Sequence, residues 1–272
     1  MALEPFTIRS GAAALAAERH AGDGPPAVLL HAGVADRRSW RPAAGPLSRA
    51  LRLVAYDRRG FGDTTYAAEP HRHADDLLCV LDAVAGDEPA WLIGNSQGGR
   101  VAIDLTLARP DRVAGLVLVS PAITGAPEPE LTAAEAEFEA RFDAAEAAGD
   151  RDAVNRLDAH LWLDGPAQPE GRVAGAAREL FLDMNGRALS APDPGPELEP
   201  PDAWARLDQI ACPALVVWGD LDLAAITAGC AGLAAILPAG RPAEMAGTAH
   251  LPYLEQPARF AALAAEFLGS AA

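Results

Sequence analysis

A serine between two glycines is the strongest chemical signal in the sequence. It lies in Gly94-Asn95-Ser96-Gln97-Gly98-Gly99, which follows the apolar residues 90–93 and precedes the apolar-rich residues 101–105. These flanks predict a strand, a sharp turn and a helix. Glycine at 94 and 98 suits a turn in which a side chain would clash, so we expect the turn to expose the Ser96 hydroxyl. Such a hydroxyl can attack a carbonyl carbon once a neighbouring base takes its proton.

Two later loops supply a candidate base and a candidate acid for that serine. The apolar run 214–218 predicts a buried strand, and Gly219-Asp220-Leu221-Asp222 follows it. His250 lies further on, in a loop that begins at Gly247. An acid just beyond a strand can accept the Nδ1 proton of a histidine and hold the ring in the tautomer that acts as a base. Asp220 and Asp222 are both candidates, and the spacing after the strand favours Asp222.

Strands that alternate with helices must position these loops. Short apolar runs predict the strands, and they occupy residues 13–19, 27–30, 51–56, 90–93, 112–119, 214–218 and 242–245. Strands that are apolar along most of their length, separated by helices, specify a mostly parallel sheet with helices on both faces. The sequence therefore predicts an α/β core.

A different pattern begins at residue 121. Helical segments without strands are predicted at 131–148, 152–162 and 171–184, and the proline-rich stretch 191–201 follows them. We expect a core domain made of residues 1–120 and 204–272 and an inserted helical cap at 121–203.

Apolar side chains of the predicted cap are candidates for binding a substrate. Phe138 and Phe142 are four residues apart and share a helix face, and Trp162 belongs to a second apolar group. Together with Leu223, beside the acid turn, they are expected to line a substrate pocket. Packing of the cap's own core explains the three aromatic residues equally well.

The combined motifs resemble those of the α/β-hydrolase superfamily. The chain has the G-x-S-x-G elbow, a segment similar to D-x-R-G-x-G at residues 57–62, and Ser96, Asp222 and His250 in the family's chain order. The resemblance implies the α/β-hydrolase fold with those three residues as a catalytic triad. It also implies that the charges of residues 57–63 are structural. They would fix their loop beside residues 31–36, which we call the oxyanion segment.

The resemblance further implies an oxyanion hole. Its donors would be the backbone N–H groups of Gln97 and of Gly33 or Val34, in the loop that follows His31. Ala32 stands where the family often has a second glycine, so the choice between Gly33 and Val34 stays open.

A serine hydrolase of a small or medium carboxylic ester, working through an acyl-enzyme intermediate, is the expected function. One alternative is a hydrolase of carbon–carbon bonds or enol-lactones in ring-cleavage products, whose elbows are similar. Another is a ligand receptor or signalling protein of the same fold that binds its ligand without repeated hydrolysis. The implied chemistry needs no metal and no cofactor.

Composition narrows the class of partners. All 22 basic residues are arginine, and the net charge is −16, of which residues 121–203 carry −12. Nucleic acid would be repelled. The missing lysines exclude P-loop and Schiff-base chemistry. The acidic cap argues against anionic ring-cleavage products, although a buried Arg141 or Arg178 could reverse that locally.

The remaining expectations concern location and metals. No apolar run is long enough for a membrane span and no secretory signal is visible, so we expect a cytoplasmic protein with a small-molecule substrate and no membrane partner. The sequence does not indicate an oligomeric state. His71, His73 and Asp75 suggest a metal site, but leucines at helical spacing favour a solvated amphipathic helix over residues 71–86.

Overall fold

A central sheet organises the molecule. The computed structural model describes residues 3–128, 132–198 and 200–271. The strands in chain order are β1 Glu4–Ser10, β2 Ala13–Arg19, β3 Pro26–Leu30, β4 Arg52–Tyr56, β5 Ala90–Asn95, β6 Val113–Val119, β7 Ala214–Gly219 and β8 Gly240–Met245. They form one sheet of eight strands in the order β1-β2-β4-β3-β5-β6-β7-β8. Pairing is antiparallel from β1 through β2 to β4 and parallel from there to β8.

Helices cover both faces of this sheet. The helices of the core are α1 Arg41–Leu47, α2 His73–Ala85, α3 Gln97–Ala108, α7 Ala224–Ile236, α8 Pro252–Glu255 and α9 Pro257–Ala271. Successive strand residues point to opposite faces. Leu30 and Leu92 therefore join α2, α3 and α7 in one core, while Leu29 and Ile93 join α1 and α9 in the other. The predicted mostly parallel sheet with helices on both faces is confirmed.

The predicted cap segment lies between β6 and β7. It contains α4 Ala133–Ala147, α5 Arg151–Asp158, a π-helical turn Ala159–Asp164 and α6 Ala176–Leu189. This segment has a small hydrophobic core of its own, formed by Phe138, Ala145, Val154 and Leu157. Leu131, the predicted start of the first cap helix, lies outside the described residues.

The third cap helix begins later than predicted. The prediction placed it at 171–184, whereas α6 begins after Gly175, whose φ is 66°. The preceding residues are held in a loop by the Asp164 carboxylate, which accepts the N–H groups of Gly171 and Val173 at 2.8 and 2.9 Å. These hydrogen bonds span seven and nine residues and leave no distinct pattern in the sequence.

The pair His71 and His73, at the start of α2, also differs from the prediction. His71 precedes the helix, and its N–H donates to the Pro196 carbonyl. The two rings lie 5.1 Å apart and both side chains are buried, so the expectation of solvated side chains was wrong for the two histidines, whereas Asp75 is exposed. In the part of the chain that the structure describes, no group of three or more His, Cys, Asp or Glu residues could hold a metal ion. None of the described helices is both long and apolar enough to cross a bilayer.

Candidate active site

Ser96 occupies a strained turn between β5 and α3. Its φ and ψ are 53° and −117°, a conformation that residues with a side chain rarely adopt. A Cβ at Gly94 would lie 2.5 Å from the Gly98 carbonyl oxygen, and a Cβ at Gly98 would lie 2.3 Å from the Leu30 carbonyl oxygen. The two glycines therefore permit the close approach of β3, β5 and α3, as the sequence predicts.

His250 and Asp222 meet beside this turn. His250 Nδ1 lies 2.7 Å from Asp222 Oδ2, and both side chains are buried. Because a carboxylate only accepts hydrogen bonds, Nδ1 carries a proton, and in the neutral tautomer that this contact selects Nε2 has the lone pair that a base needs. The Asn95 side chain donates to the His250 carbonyl at 3.0 Å, which ties the histidine loop to the strand before Ser96.

The two candidate acids have separate partners. Asp222 Oδ1 accepts the N–H of Leu223 at 2.9 Å, so both carboxylate oxygens of Asp222 are oriented. Asp220 is exposed and accepts the N–H of Gly247 at 2.6 Å, at the start of the histidine loop. The structure thus places Asp222 against the imidazole and Asp220 against the backbone of the loop that carries it.

A small cavity joins the serine, the histidine and the predicted oxyanion segment. Its volume is about 220 Å³, and it is lined by Gly33, Val34, Ser96, Gln97, Trp162 and His250. The N–H of Ala35 is already bonded to the Ala32 carbonyl at 3.3 Å. Gly33 and Val34 both remain candidate donors, and the geometry does not separate them.

His31 fixes the oxyanion segment to the neighbouring loop. Its Nδ1–H donates to the Ala32 carbonyl at 2.7 Å, and its Nε2 accepts the N–H of Arg58 at 3.1 Å. This assignment requires a neutral ring. Complete burial and the nearby Arg58 cation hold the pKa of His31 well below its usual value, which agrees with that tautomer.

A second cavity lies beside the first and belongs mainly to the cap segment. Its volume is about 380 Å³. The four residues predicted to contact substrate, Phe138, Phe142, Trp162 and Leu223, all line it. Only Trp162 also lines the cavity over Ser96. The structure therefore brings Trp162 to the serine and leaves the two phenylalanines in the adjoining space.

Trp162 has a closer relation to the histidine than the sequence indicates. Its carbonyl accepts the His250 N–H at 3.2 Å, and the two ring centroids lie 4.6 Å apart. The residue sits in the π-helical turn, an irregularity that is frequent at functional sites. A cap residue thus helps to hold the imidazole.

Arg172 and Glu255 support the histidine loop and were not identified from the sequence. Glu255 accepts the Ala249 N–H at 2.7 Å and the Arg172 guanidinium at 2.5 Å. Arg172 also donates to the carbonyls of Leu163 and Asp164 in the cap segment. Burial raises the pKa of Glu255 to about 7 against the opposing effect of Arg172. No local pattern marks this pair.

Comparison with known proteins identifies the family. The model of the alpha/beta hydrolase family matches residues 27–263. The chain belongs to the α/β-hydrolase family. The esterase RhEst1 from Rhodococcus sp. ECU1013 is 25% identical, with a TM-score of 0.76 and coverage of 100% of both chains. A thermophilic esterase from Thermogutta terrifontis shares the α/β-hydrolase fold at a TM-score of 0.78, with 24% identity over 98% of this chain and 99% of that one.

Curated relatives point to the same general activity. A putative carbamate hydrolase, RutD, from Variovorax paradoxus (strain S110) is 34% identical over 200 residues, which cover 70% of this chain and 71% of the relative. The chain spans only 40% to 41% of the length of several other curated relatives. Family and relatives together make this chain a hydrolase of the α/β family.

Proposed function

We propose that the protein is a serine hydrolase that cleaves a small or medium carboxylic ester through an acyl-enzyme. The observation that carries the proposal is the 2.7 Å contact between His250 Nδ1 and Asp222 Oδ2 beside a cavity that Ser96 also lines. His250 Nε2 would take the Ser96 proton as the hydroxyl oxygen attacks the ester carbonyl. It would then give that proton to the departing alcohol, leaving the acyl group on Ser96.

Water would complete the cycle. His250 would take a proton from a water molecule that attacks the acyl-serine, and the acid product would leave as the serine is restored. In both halves the negative charge on the carbonyl oxygen would be held by the N–H of Gln97 and that of Gly33 or Val34. Each such donor is worth about 3 kcal/mol of barrier lowering.

The two cavities support a substrate of limited size. The space over Ser96 has a volume of about 220 Å³, enough for a short acyl or alcohol group. The adjoining cavity of about 380 Å³ would take the larger group against Phe138, Phe142 and Leu223. Trp162, between them, would set how long a chain the site accepts.

Charge argues for an uncharged substrate over an anionic ring-cleavage product. The second cavity is also lined by the carboxylates Glu135, Glu139, Asp143, Glu146 and Asp158. The arginines that could have reversed this are engaged elsewhere. Arg178 donates to Asp164 at 2.7 Å, and Arg141 lies over the Phe138 ring at 5.2 Å, on the wall of a different pocket.

Carbamate hydrolysis is a second candidate, favoured by the resemblance to RutD over 70% of this chain. A carbamate presents the same carbonyl to the same nucleophile, so the proposed machinery would apply without change.

The test is steady-state hydrolysis of p-nitrophenyl esters of increasing acyl length, with matched p-nitrophenyl carbamates, by the parent protein and Ser96→Ala. Sustained ester turnover that Ser96→Ala abolishes is the expected result. Faster turnover of the carbamates would favour the second candidate. A single turnover per protein would support the receptor alternative, and no turnover by folded protein would overturn the ester proposal.

A further inference from the structure

An arginine without an acidic partner lies beneath the oxyanion segment. Arg58 is fully buried, and none of the described carboxylates forms an ion pair with it. Its neighbours differ in this respect, because Arg37 pairs with Asp57 and Arg59 pairs with Asp76. The Nε of Arg58 also has no hydrogen-bond partner among the described residues. A buried charge is costly unless it is paired, so this cation requires an explanation.

The contacts of Arg58 lead to both sides of the cavity over Ser96. Its Nη1 donates to the Gln97 side-chain oxygen at 3.0 Å, and its Nη2 donates to the His31 carbonyl at 3.3 Å. The Gln97 amide in turn packs on Gly33, where a Cβ would lie 2.8 Å from the amide nitrogen. One guanidinium therefore supports the residue after the serine and the loop that faces it.

None of the described carboxylates is bonded to Arg58. Glu197 acts on it only through space, and the centroid of the Phe61 ring lies 4.6 Å from its guanidinium carbon. Burial and the cation itself lower the pKa of His31 and lower that of His73 to about 2, so both rings are neutral. Burial raises the pKa of Tyr56, so its hydroxyl is neutral as well. Arg100, whose charge acts on Arg58, is paired with Glu197 at 2.8 Å. Among the described residues, no carboxylate thus forms an ion pair with Arg58 before the reaction begins.

We propose that Arg58 is a positioning residue for the oxyanion. Through Gln97 and the His31 carbonyl it fixes the two segments that carry the donors, and its unpaired charge favours the negatively charged tetrahedral state over the neutral ester. It touches neither the substrate nor the reacting atoms. An effect confined to the charged state raises kcat and leaves substrate binding unchanged. The inference rests on the proposed serine hydrolase function.

The test compares Arg58→Met, which removes the charge, with Arg58→Lys, which keeps it. Arg100→Met is the matched control, since it removes a nearby arginine whose charge is already paired. The measurements are kcat, KM, the melting temperature and the inhibition constant of an alkyl boronic acid, which forms an anionic tetrahedral adduct on an active-site serine. Arg58→Met should lower kcat by about 10- to 100-fold and raise the inhibition constant of the boronic acid by a similar factor. KM should stay within about twofold of the parental value. Arg58→Lys should recover most of the loss, and Arg100→Met should show none.

Several outcomes would overturn the inference alone. An Arg58→Met protein with a lower melting temperature and unchanged kcat has lost only a structural contact. An Arg58→Lys protein as impaired as Arg58→Met shows that the charge of residue 58 does not favour the tetrahedral state, which overturns the inference that the unpaired cation acts on the oxyanion. If Arg58→Met does not fold, Arg58→Gln replaces it as the variant without the charge. Equal kcat values for Arg58→Gln and Arg58→Lys would then overturn the inference. A wild-type protein that turns over none of the esters would instead overturn the proposed function.

Discussion

Replacing Asp222 with asparagine tests the link between the acid and the histidine. In the native protein Asp222 Oδ2 lies 2.7 Å from His250 Nδ1, while Oδ1 accepts the Leu223 N–H at 2.9 Å. In Asp222→Asn the amide oxygen keeps the bond to Leu223, so the NH₂ group faces Nδ1. An amide NH₂ only donates, which drives the ring proton to Nε2 and removes the lone pair that would accept the serine proton.

We expect kcat of Asp222→Asn to fall by about 10³- to 10⁴-fold, which corresponds to about 4 to 5.5 kcal/mol of transition-state stabilisation. The assay is steady-state hydrolysis of a p-nitrophenyl ester, with the melting temperature recorded for each protein. Asp220→Asn is the matched control, because the Asp220 carboxylate accepts the Gly247 N–H and does not contact the imidazole, and its kcat should stay within about tenfold of the parent. A folded Asp222→Asn protein that keeps more than about a tenth of the parental kcat would refute the tautomer argument.

Three further substitutions test the elbow, the cavity wall and the support of the histidine loop. Gly98→Ala places a Cβ 2.3 Å from the Leu30 carbonyl, so α3 must shift, and kcat should fall by at least about 100-fold with a lower melting temperature. Trp162→Ala removes the wall shared by the two cavities, so the preferred acyl chain should lengthen and KM for an acetyl ester should rise by about tenfold. Glu255→Gln removes a carboxyl whose pKa is raised from 4.5 to about 7 in the folded protein. Between those pH values the unfolded chain releases the proton first, so the parent should lose up to about 3 kcal/mol of unfolding free energy relative to Glu255→Gln as pH rises, measured by urea titration.

Each of these results has a control or a contrary outcome. Gly232→Ala, at a helical site where a Cβ meets nothing within 4 Å, should keep full activity and stability. Leu161→Ala changes only the second cavity and should leave KM for the acetyl ester unchanged. A stability difference between parent and Glu255→Gln that does not change with pH would mean that the carboxyl titrates near its ordinary value.

Buried strands and the loops at their ends were predictable from the sequence, because a short apolar run bounded by turn residues is typical of a strand covered on both faces. Short runs such as 27–30 and 214–218 therefore correspond closely to β3 and β7. The edge strand β1 was not predicted, since its exposed residues lack that pattern.

Contacts between distant parts of the chain could not be predicted from the sequence. Arg172 and Glu255 meet across 83 residues, and each has an ordinary local setting. The ring contact between Trp162 and His250 depends on how the π-helical turn lies over the core, which hydrophobic periodicity does not encode. The choice of Asp222 over Asp220 could be predicted, because it depends only on spacing after one strand.

Trapping the acyl-enzyme tests the central claim most directly. The parent and Ser96→Ala would be mixed with p-nitrophenyl butyrate, quenched in acid within milliseconds, and analysed by mass spectrometry of the intact protein and of its peptides. The account predicts one added butyryl group in the parent, on the peptide that contains Ser96, and none in Ser96→Ala. A parent protein that shows a burst of p-nitrophenol without an adduct on Ser96, or full activity in Ser96→Ala, would contradict it.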